Sequence, residues 1–285
     1  MTIGKPADRD DLYFAGDIDE VEILNVALDA EQVAAYYRCV ASRSSFTLPD
    51  IQVPPPATPP AGPPGPVPPL PIAADGLVAY YAMSMSGKDE SGRGNDAEVK
   101  GGATPTSDRF GNANAAYAFD GVDDVLVCAQ PTGLPGGSAA RTIAGWFWTD
   151  KPQQYAADLF GFGSAADGAN FQLTIGPQAL TNYPVVFRVN GWGDSADWRS
   201  SVAPAPFLDE RWHHAAVTYD GRVVALYLDG ALQASAPWTY QTGPTSITIG
   251  AETGTSGSLW KGALDDVVIF ARVLTADEIK TLAAN

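Results

Sequence analysis

The sequence has 285 residues, with 33 Asp and Glu against 17 Lys and Arg and a net charge of −16 with both histidines neutral, a balance that excludes a nucleic-acid binder, which needs cations clustered on one face. Hydrophobic residues make up 45% and charged residues 18%, as in a globular chain of about two domains rather than a disordered one. Glycine (29) and proline (23) are plentiful while Met (3) and Cys (2) are scarce, so short strands and turns are expected in place of helical bundles.

Residues 2–36 align without a gap with residues 248–282: Gly4 falls on Gly250, Gly16 on Gly262, Asp19 on Asp265, Val21 on Val267, Ile23 on Ile269 and Leu28 on Leu274. Such self-similarity marks a repeat, and residues 1–40 read as the C-terminal fragment of an upstream copy, too small to bury a core alone. The strand-like run within residues 12–24 is expected to seek an exposed sheet edge by strand exchange. The run Asp17-Ile18-Asp19-Glu20-Val21-Glu22 imitates carboxylates alternating along a glycosidase strand. The matching residues, Ala263-Leu264-Asp265-Asp266-Val267-Val268, lack two of the acids, so no catalytic residue is assigned. The opening residues lack a basic region followed by an apolar stretch, and no run of about 18 apolar residues occurs, so neither a signal peptide nor membrane insertion is expected from this chain.

Twelve of the residues from Pro49 to Pro71 are proline. Residues 41–73 therefore read as a linker sampling polyproline II, at about 3.1 Å per residue. From residue 74 to 285 the chain becomes a succession of short aromatic and β-branched runs: Arg141–Trp148, Val185–Asn190, Trp212–Tyr219, Arg222–Leu228 and Leu264–Phe270. Asp220-Gly221 and Asp229-Gly230 are hairpin-turn signals, and both faces of Arg222–Leu228 are apolar, as in a central strand. One short helix is expected, with Thr275 as N-cap and Glu278 as its capping-box partner. Cys39 and Cys128 have neither metal-ligand nor disulfide-framework spacing. An all-β sandwich of two sheets follows.

The series GLVAYYAM (76–83), DESGRGNDA (89–97), RFGNANAAYAFDGVDDVL (109–126), TIAGWFW (142–148), RWHHAAVTYDGRVVALYLDGAL (211–232), SITIG (246–250) and KGALDDVVIFARVLTADEI (261–279) resembles the LamG-like jelly-roll domain of the concanavalin A-like lectin/glucanase superfamily. The resemblance implies a two-sheet antiparallel jelly-roll β-sandwich, an extracellular or cell-surface location, a glycan or cell-surface protein as partner, and a structural calcium ion. It places the oxygen-rich turn at Asp89 to Asp96 near the final strand, so the expected calcium ligands are Asp89, Asn95 and Asp265, with Asp120 and Gly121 contributing.

Sugar stacking requires exposed aromatic rings. Trp192, Trp198, Trp238, Tyr183 and Tyr240 lie in Gly-, Asp- and Asn-containing stretches and are the candidates, whereas Trp146, Trp148 and Trp212 are expected in the core. His213 and His214 are adjacent in a strand, point to opposite faces and cannot hold one ion together. The resulting reading is a non-catalytic binding module. The alternatives are a structural or adhesive repeat of a large cell-surface protein and, more remotely, an accessory module of a glycoside hydrolase.

Overall fold

In this computed structural model the described residues are 63–65, 67–149, 157–175, 187–190, 198–200, 210–254 and 257–285. The chain divides into Met1–Pro56 and Ala57–Asn285. The expected fragment 1–40, its exchange strand 12–24 and most of the linker lie outside the described residues.

Fifteen strands and one helix are described: β1 (Leu77–Tyr81), β2 (Glu98–Lys100), β3 (Thr104–Thr106), β4 (Ala116–Asp120), β5 (Val125–Cys128), β6 (Arg141–Trp148), β7 (Ala157–Gly163), β8 (Asn170–Ile175), β9 (Phe187–Asn190), β10 (Trp198–Ser200), β11 (Trp212–Tyr219), β12 (Val223–Leu228), β13 (Ala231–Pro237), β14 (Ser246–Ile249), β15 (Lys261–Phe270) and α1 (Ala276–Leu282). They form two antiparallel sheets. Sheet A has the order β13-β12-β11-β6-β15-β4-β3, with β1 also paired to β15; sheet B has the order β10-β9-β8-β7-β14-β5-β2. This is the expected jelly-roll sandwich.

The period-two alternation of strands decides what lies between the sheets. Ile143 and Phe147 of β6, Val224, Leu226 and Leu228 of β12, Phe160 and Phe162 of β7, and Ile247 and Ile249 of β14 face inward and join one core. Gly145 faces inward too, where an added Cβ would come within 2.9 Å of both Phe160 and Val267; the small residue lets the sheets approach. The same alternation turns Trp146 and Trp148 outward and leaves them half-buried, as is Trp212, which corrects their expected place in the core. The core tryptophan is Trp260, fully buried and edge-on to Phe147. Both hairpin turns form as expected. Asp220 Oδ1 accepts from the Arg222 and Val223 amides, and Asp229 and Gly230 both take positive φ, 49° and 76°.

β15 is the hub of sheet A. Lys261–Leu264 pair with β4, Val267–Phe270 pair with β1, and β6 runs along the other side. Its register shifts between Asp265 and Val268, and Asp266 carries φ of 46°. This bulge inserts a residue into the alternation, so two consecutive acids meet one cation on the outer face. Arg109 donates to Asp265 at 2.7 Å and to Asp266 at 2.8 Å, its guanidinium stacked over Trp146 and Phe110 at 4.6 and 4.5 Å. Burial pushes both carboxyls above the usual range, repulsion from Asp266 adds to the rise at Asp265, and Arg109 opposes it at both.

The outer face of sheet A is covered from two directions. Helix α1 closes with the expected capping box: Thr275 Oγ1 accepts from the Glu278 amide, and Glu278 accepts from the Thr275 amide. Ile279 and Leu282 pack on Leu77, Tyr80 and Val268. Glu278 also binds Arg272 through two bonds, of 2.6 and 2.9 Å, and this pairing holds its carboxyl down at about 2. From the other side comes the end of the proline-rich segment, whose Leu70 and Ile72 join the same apolar cluster. Its backbone is tied by Asn114 Nδ2 to the Pro63 carbonyl, the Gly65 amide to the Asn114 carbonyl, Tyr80 Oη to the Pro68 carbonyl and Arg272 to the Ala73 carbonyl, at 3.1, 3.1, 3.0 and 3.4 Å. These contacts join residues 63–73 to the sandwich ahead of the expected boundary at residue 74.

Two outcomes follow. Arg109→Met takes the cation from two buried acids and should cost about 3–5 kcal/mol once both are ionised. Because both carboxyls titrate above the unfolded range, that loss is largest at alkaline pH and shrinks as the acids protonate, so urea midpoints of the variant and the parent should differ most at alkaline pH and converge on acidification before the ordinary carboxyl value is reached. Glu278 behaves in the opposite sense: its contribution is present above the ordinary glutamate value and is lost as pH falls through about 2. Thermal melts of Glu278→Gln and the parent should differ near pH 6 and coincide near pH 2.

Candidate functional site

The β4–β5 hairpin gathers three carboxylates. Asp120 ends β4, Gly121 turns the chain with φ of 81°, and Asp123 and Asp124 lead into β5. Asp120 Oδ1 accepts from the Val122 amide at 2.7 Å and Asp124 Oδ2 from the Asp120 amide at 2.8 Å. Asp120, Asp123 and Asp124 each bring one oxygen within 4.8 Å of the others. Asp124 is buried while the other two are exposed. Burial, with repulsion from Asp120 and Asp123, pushes its carboxyl up against the opposing Asp120 amide bond. On one side the hairpin is closed by the Gly101 backbone, where a Cβ would stand 2.0 Å from the Asp123 carbonyl oxygen. A buried carboxylate flanked by like charges, with oxygen as the donor type throughout, fits a hard divalent cation such as calcium.

Beside this hairpin an open groove of about 650 Å³ runs over the outer face of sheet B. Its floor is Val125 and Val127 of β5 with Ser246 and Thr248 of β14; by the antiparallel register Val122 and Asp123 and, on the β14 side, Ala251 lie towards one end, with Ala129 and Thr245 towards the other. The β14 side is pinned by a buried polar network. Gln172 Nε2 donates to the Ala251 carbonyl at 2.6 Å, and its Oε1 accepts from the Thr253 amide at 2.8 Å and from Asn170 Nδ2 at 2.9 Å. Gly161 makes room for it, since a Cβ there would fall 2.5 Å from Gln172 Cβ. On the same strands Thr174 Oγ1 donates to Asp158.

The sequence-derived calcium set does not converge. Asp89 spends its carboxylate on the Tyr80, Ser91 and Asn95 amides and the Ser91 hydroxyl, at 2.8–3.0 Å. Asn95 donates to the Val78 and Thr132 carbonyls and accepts from the Thr132 amide. Both staple the 89–96 turn to β1. Asp265 belongs to Arg109, and it lies four residues along β15 from Lys261, the partner of Asp120, or about 13 Å at strand rise. Only Asp120 and Gly121 of the expected set sit at the acidic hairpin; Asp123 and Asp124 were not foreseen, although DGVDD stands in the sequence.

The aromatic candidates also separate. Tyr240 is fully buried, edge-on to Tyr219 and Phe171 at 5.2 and 5.3 Å, so the expectation that it stacks on a sugar is overturned by core packing. Trp238 is half-buried against the core. The backbone of Trp198 is in β10, paired with Val189, at an edge of sheet B rather than in a loop. Trp192 and Tyr183 lie outside the described residues. Among the described residues no aromatic side chain lines the sheet B groove.

The two histidines part to opposite faces as expected. His213 Nδ1 pairs with Asp229 at 2.8 Å, while His214 packs edge-on to Trp146 at 5.3 Å. Burial holds the His214 imidazole down at about 3, so it stays neutral.

Comparison with known proteins matches this architecture. The profile described as the concanavalin A-like lectin/glucanases superfamily matches residues 119–280, more than half of the chain. Among solved structures, domain 4 of AbnA, a GH43 extracellular arabinanase from Geobacillus stearothermophilus in complex with arabinotriose, has a TM-score of 0.56 at 18% identity, over 73% of this chain and 98% of that one. The binding domain of Paraclostridial Mosquitocidal Protein 1 scores 0.55 at 17% identity, over 73% of this chain and 52% of that one. The botulinum neurotoxin serotype D ligand-binding domain in complex with N-acetylneuraminic acid scores 0.53 at 13% identity, over 74% and 51%. At such identities the likeness is one of fold, and this chain spans about half the length of the two toxin domains. No curated protein matches the sequence significantly. With its profile match and its two face-packed antiparallel sheets, the chain belongs to the concanavalin A-like lectin/glucanase superfamily.

Proposed function

We propose that residues 74–285 are a non-catalytic extracellular binding module that takes a glycan, free or carried on a cell-surface protein, across the outer face of sheet B, with calcium in the Asp120–Asp124 hairpin. The carrying observation is the open groove of about 650 Å³ that ends at Asp123 of that hairpin, a volume within the range of about 300–1,000 Å³ of small-ligand sites. Asp120, Asp123 and Asp124 would hold the ion, which would supply positive charge to the groove's end. Trp192, Trp198 and Tyr183 remain the proposed stacking residues.

A neutral glycan suits this site better than an anionic one. The net charge is −16, and Arg109, Arg141 and Arg272 are committed to internal partners, so the surface field repels anions within about 8 Å at physiological salt. Asp265 and Asp266 do not make a hydrolase pair: glycoside hydrolysis needs two carboxyls about 5–9.5 Å apart across a bond, whereas these two are adjacent and share Arg109. Accessory service beside a hydrolase remains compatible with a binding module, as the arabinanase domain illustrates. The duplication of residues 2–36 and 248–282 favours the second reading, a structural or adhesive repeat.

A native-state ligand raises stability by RT ln(1 + [L]/Kd), so calcium should raise the melting temperature and chelator should reverse it. Asp124→Asn relieves a buried charge and should melt no lower than the parent in chelator while losing the calcium shift; an unchanged shift in this variant would remove the ion from the hairpin. On a glycan array, the calcium-loaded protein should bind neutral glycans, and Val127→Trp, which fills the groove floor, should abolish the signal without lowering the melting temperature by more than a few degrees. Uniform absence of binding would leave the repeat reading in its place.

A further inference from the structure

The outer face of sheet A, opposite the proposed glycan groove, carries an independent feature. Residues 63–73 do not merely approach this face. Their carbonyls at Pro63, Pro68 and Ala73 are read by Asn114, Tyr80 and Arg272. A polyproline II backbone makes no hydrogen bonds to itself, so its carbonyls are free for such donors, and its rigidity lowers the entropy lost on docking. Aromatic walls with polar tips are the usual seat for such a segment.

The seat is larger than its occupant. A cavity of about 370 Å³ remains between Pro68–Pro71 and the wall formed by Phe110, Trp146, His214 and Leu282. Phe110 is 65% exposed there. His214 Nδ1 has no hydrogen-bond partner, and the neutral imidazole donates to a carbonyl when that nitrogen carries the proton. The segment that holds the seat is itself redundant: paired prolines recur at Pro55-Pro56, Pro59-Pro60, Pro63-Pro64 and Pro68-Pro69, so the same chemistry is offered several times along one chain.

We propose that the outer face of sheet A is a polyproline II recognition surface, held in cis by residues 63–73 and open to exchange with the proline-rich segment of a second copy of this chain. Tethering keeps the cis strap at an effective concentration on the order of millimolar, so it masks the seat from a competitor. The strap is anchored to the apolar cluster by Leu70 and Ile72, and weakening these should unmask the seat.

The test uses the full chain and a labelled peptide PPGPVPPLPIAA, the sequence of residues 63–74, followed by fluorescence anisotropy. The parent should bind it weakly and the Leu70→Asp, Ile72→Asp double variant at least tenfold more tightly. Adding Phe110→Ala should reverse that gain while the far-ultraviolet circular dichroism stays that of the parent, and a peptide with alanine in place of every proline should not bind. Equal binding to parent and double variant, or equal binding of the alanine peptide, overturns the proposal. Light scattering of the unaltered parent gives a readout free of any folding defect: a concentration-dependent dimer that excess peptide dissolves supports exchange, and a strict monomer up to about 1 mM overturns it.

Discussion

The bulge at Asp265–Asp266 is the constraint on which sheet A depends. β15 must serve β4 with its first half and β1 with its second while β6 runs along its whole length, and a strictly alternating strand would place one acid between the sheets. The bulge resets the alternation so that Leu264 and Val267 both face the core and both acids meet Arg109 outside. That arrangement is costly alone, because two adjacent carboxylates repel and both are nearly buried. It becomes tolerable because a single guanidinium forks to both, and Trp146 and Phe110 shield that guanidinium from water. Tyr80 Oη stands 2.8 Å from Asp266 Oδ1 and 3.0 Å from the Pro68 carbonyl and shares its one proton between them, linking the bulge to β1 and to the strap.

The consequence is a sandwich whose outer faces are unlike. Sheet A turns an apolar outer surface to a helix and a proline-rich strap, which cover Ala144, Ala216, Val268 and Phe270. Sheet B instead carries Asn170, Gln172, Thr174 and Thr248 on its outer strand positions, all of them buried, alternating with Phe171, Leu173, Ile247 and Ile249 within. Its β5–β14 side, where Val125, Val127 and Ser246 are half-buried, carries the open groove, whereas the apolar face of sheet A requires a permanent or exchangeable cover. Division of labour between the two faces thus follows from which alternate positions are apolar.

Much of this was legible in the sequence. β6 and β11 begin and end where the aromatic and β-branched runs do, the Asp-Gly turns form, and Thr275 and Glu278 cap α1, because all these signals are local. What failed was non-local. Period two says that Trp146 and Phe147 face opposite ways but not which face is the core; Tyr240 follows a strand end and reads as a loop residue until Phe171 and Tyr219 are brought against it from other strands. Asp89 and Asn95 have the composition of ion ligands, yet the amides that saturate them belong to Tyr80 and Thr132, and no spacing rule predicts those partners. The Asp120–Asp124 hairpin was visible as residues and half recognised; Arg109 was quoted within a motif without its role, since its two acids stand 156 and 157 positions away.

Scarcity of bases gives this arrangement its remaining consequence. Of the 17 basic residues, Arg141 is wholly buried among Phe162, Phe171 and Tyr219 with its guanidinium bound to the Ala139 and Gly137 carbonyls, Arg109 is consumed by the bulge, and Arg272 by Glu278 and the strap. Each is an internal tie rather than a surface cation. Acids are spent inside with them, Asp89, Asp124, Asp158 and Asp265 being buried too, so the exterior keeps the acidic balance of the sequence, which favours solubility. The same expenditure bears on the two proposed ligands, a neutral hydroxyl-rich glycan at the sheet B groove and uncharged proline carbonyls at Tyr80, neither of which asks for a free surface arginine.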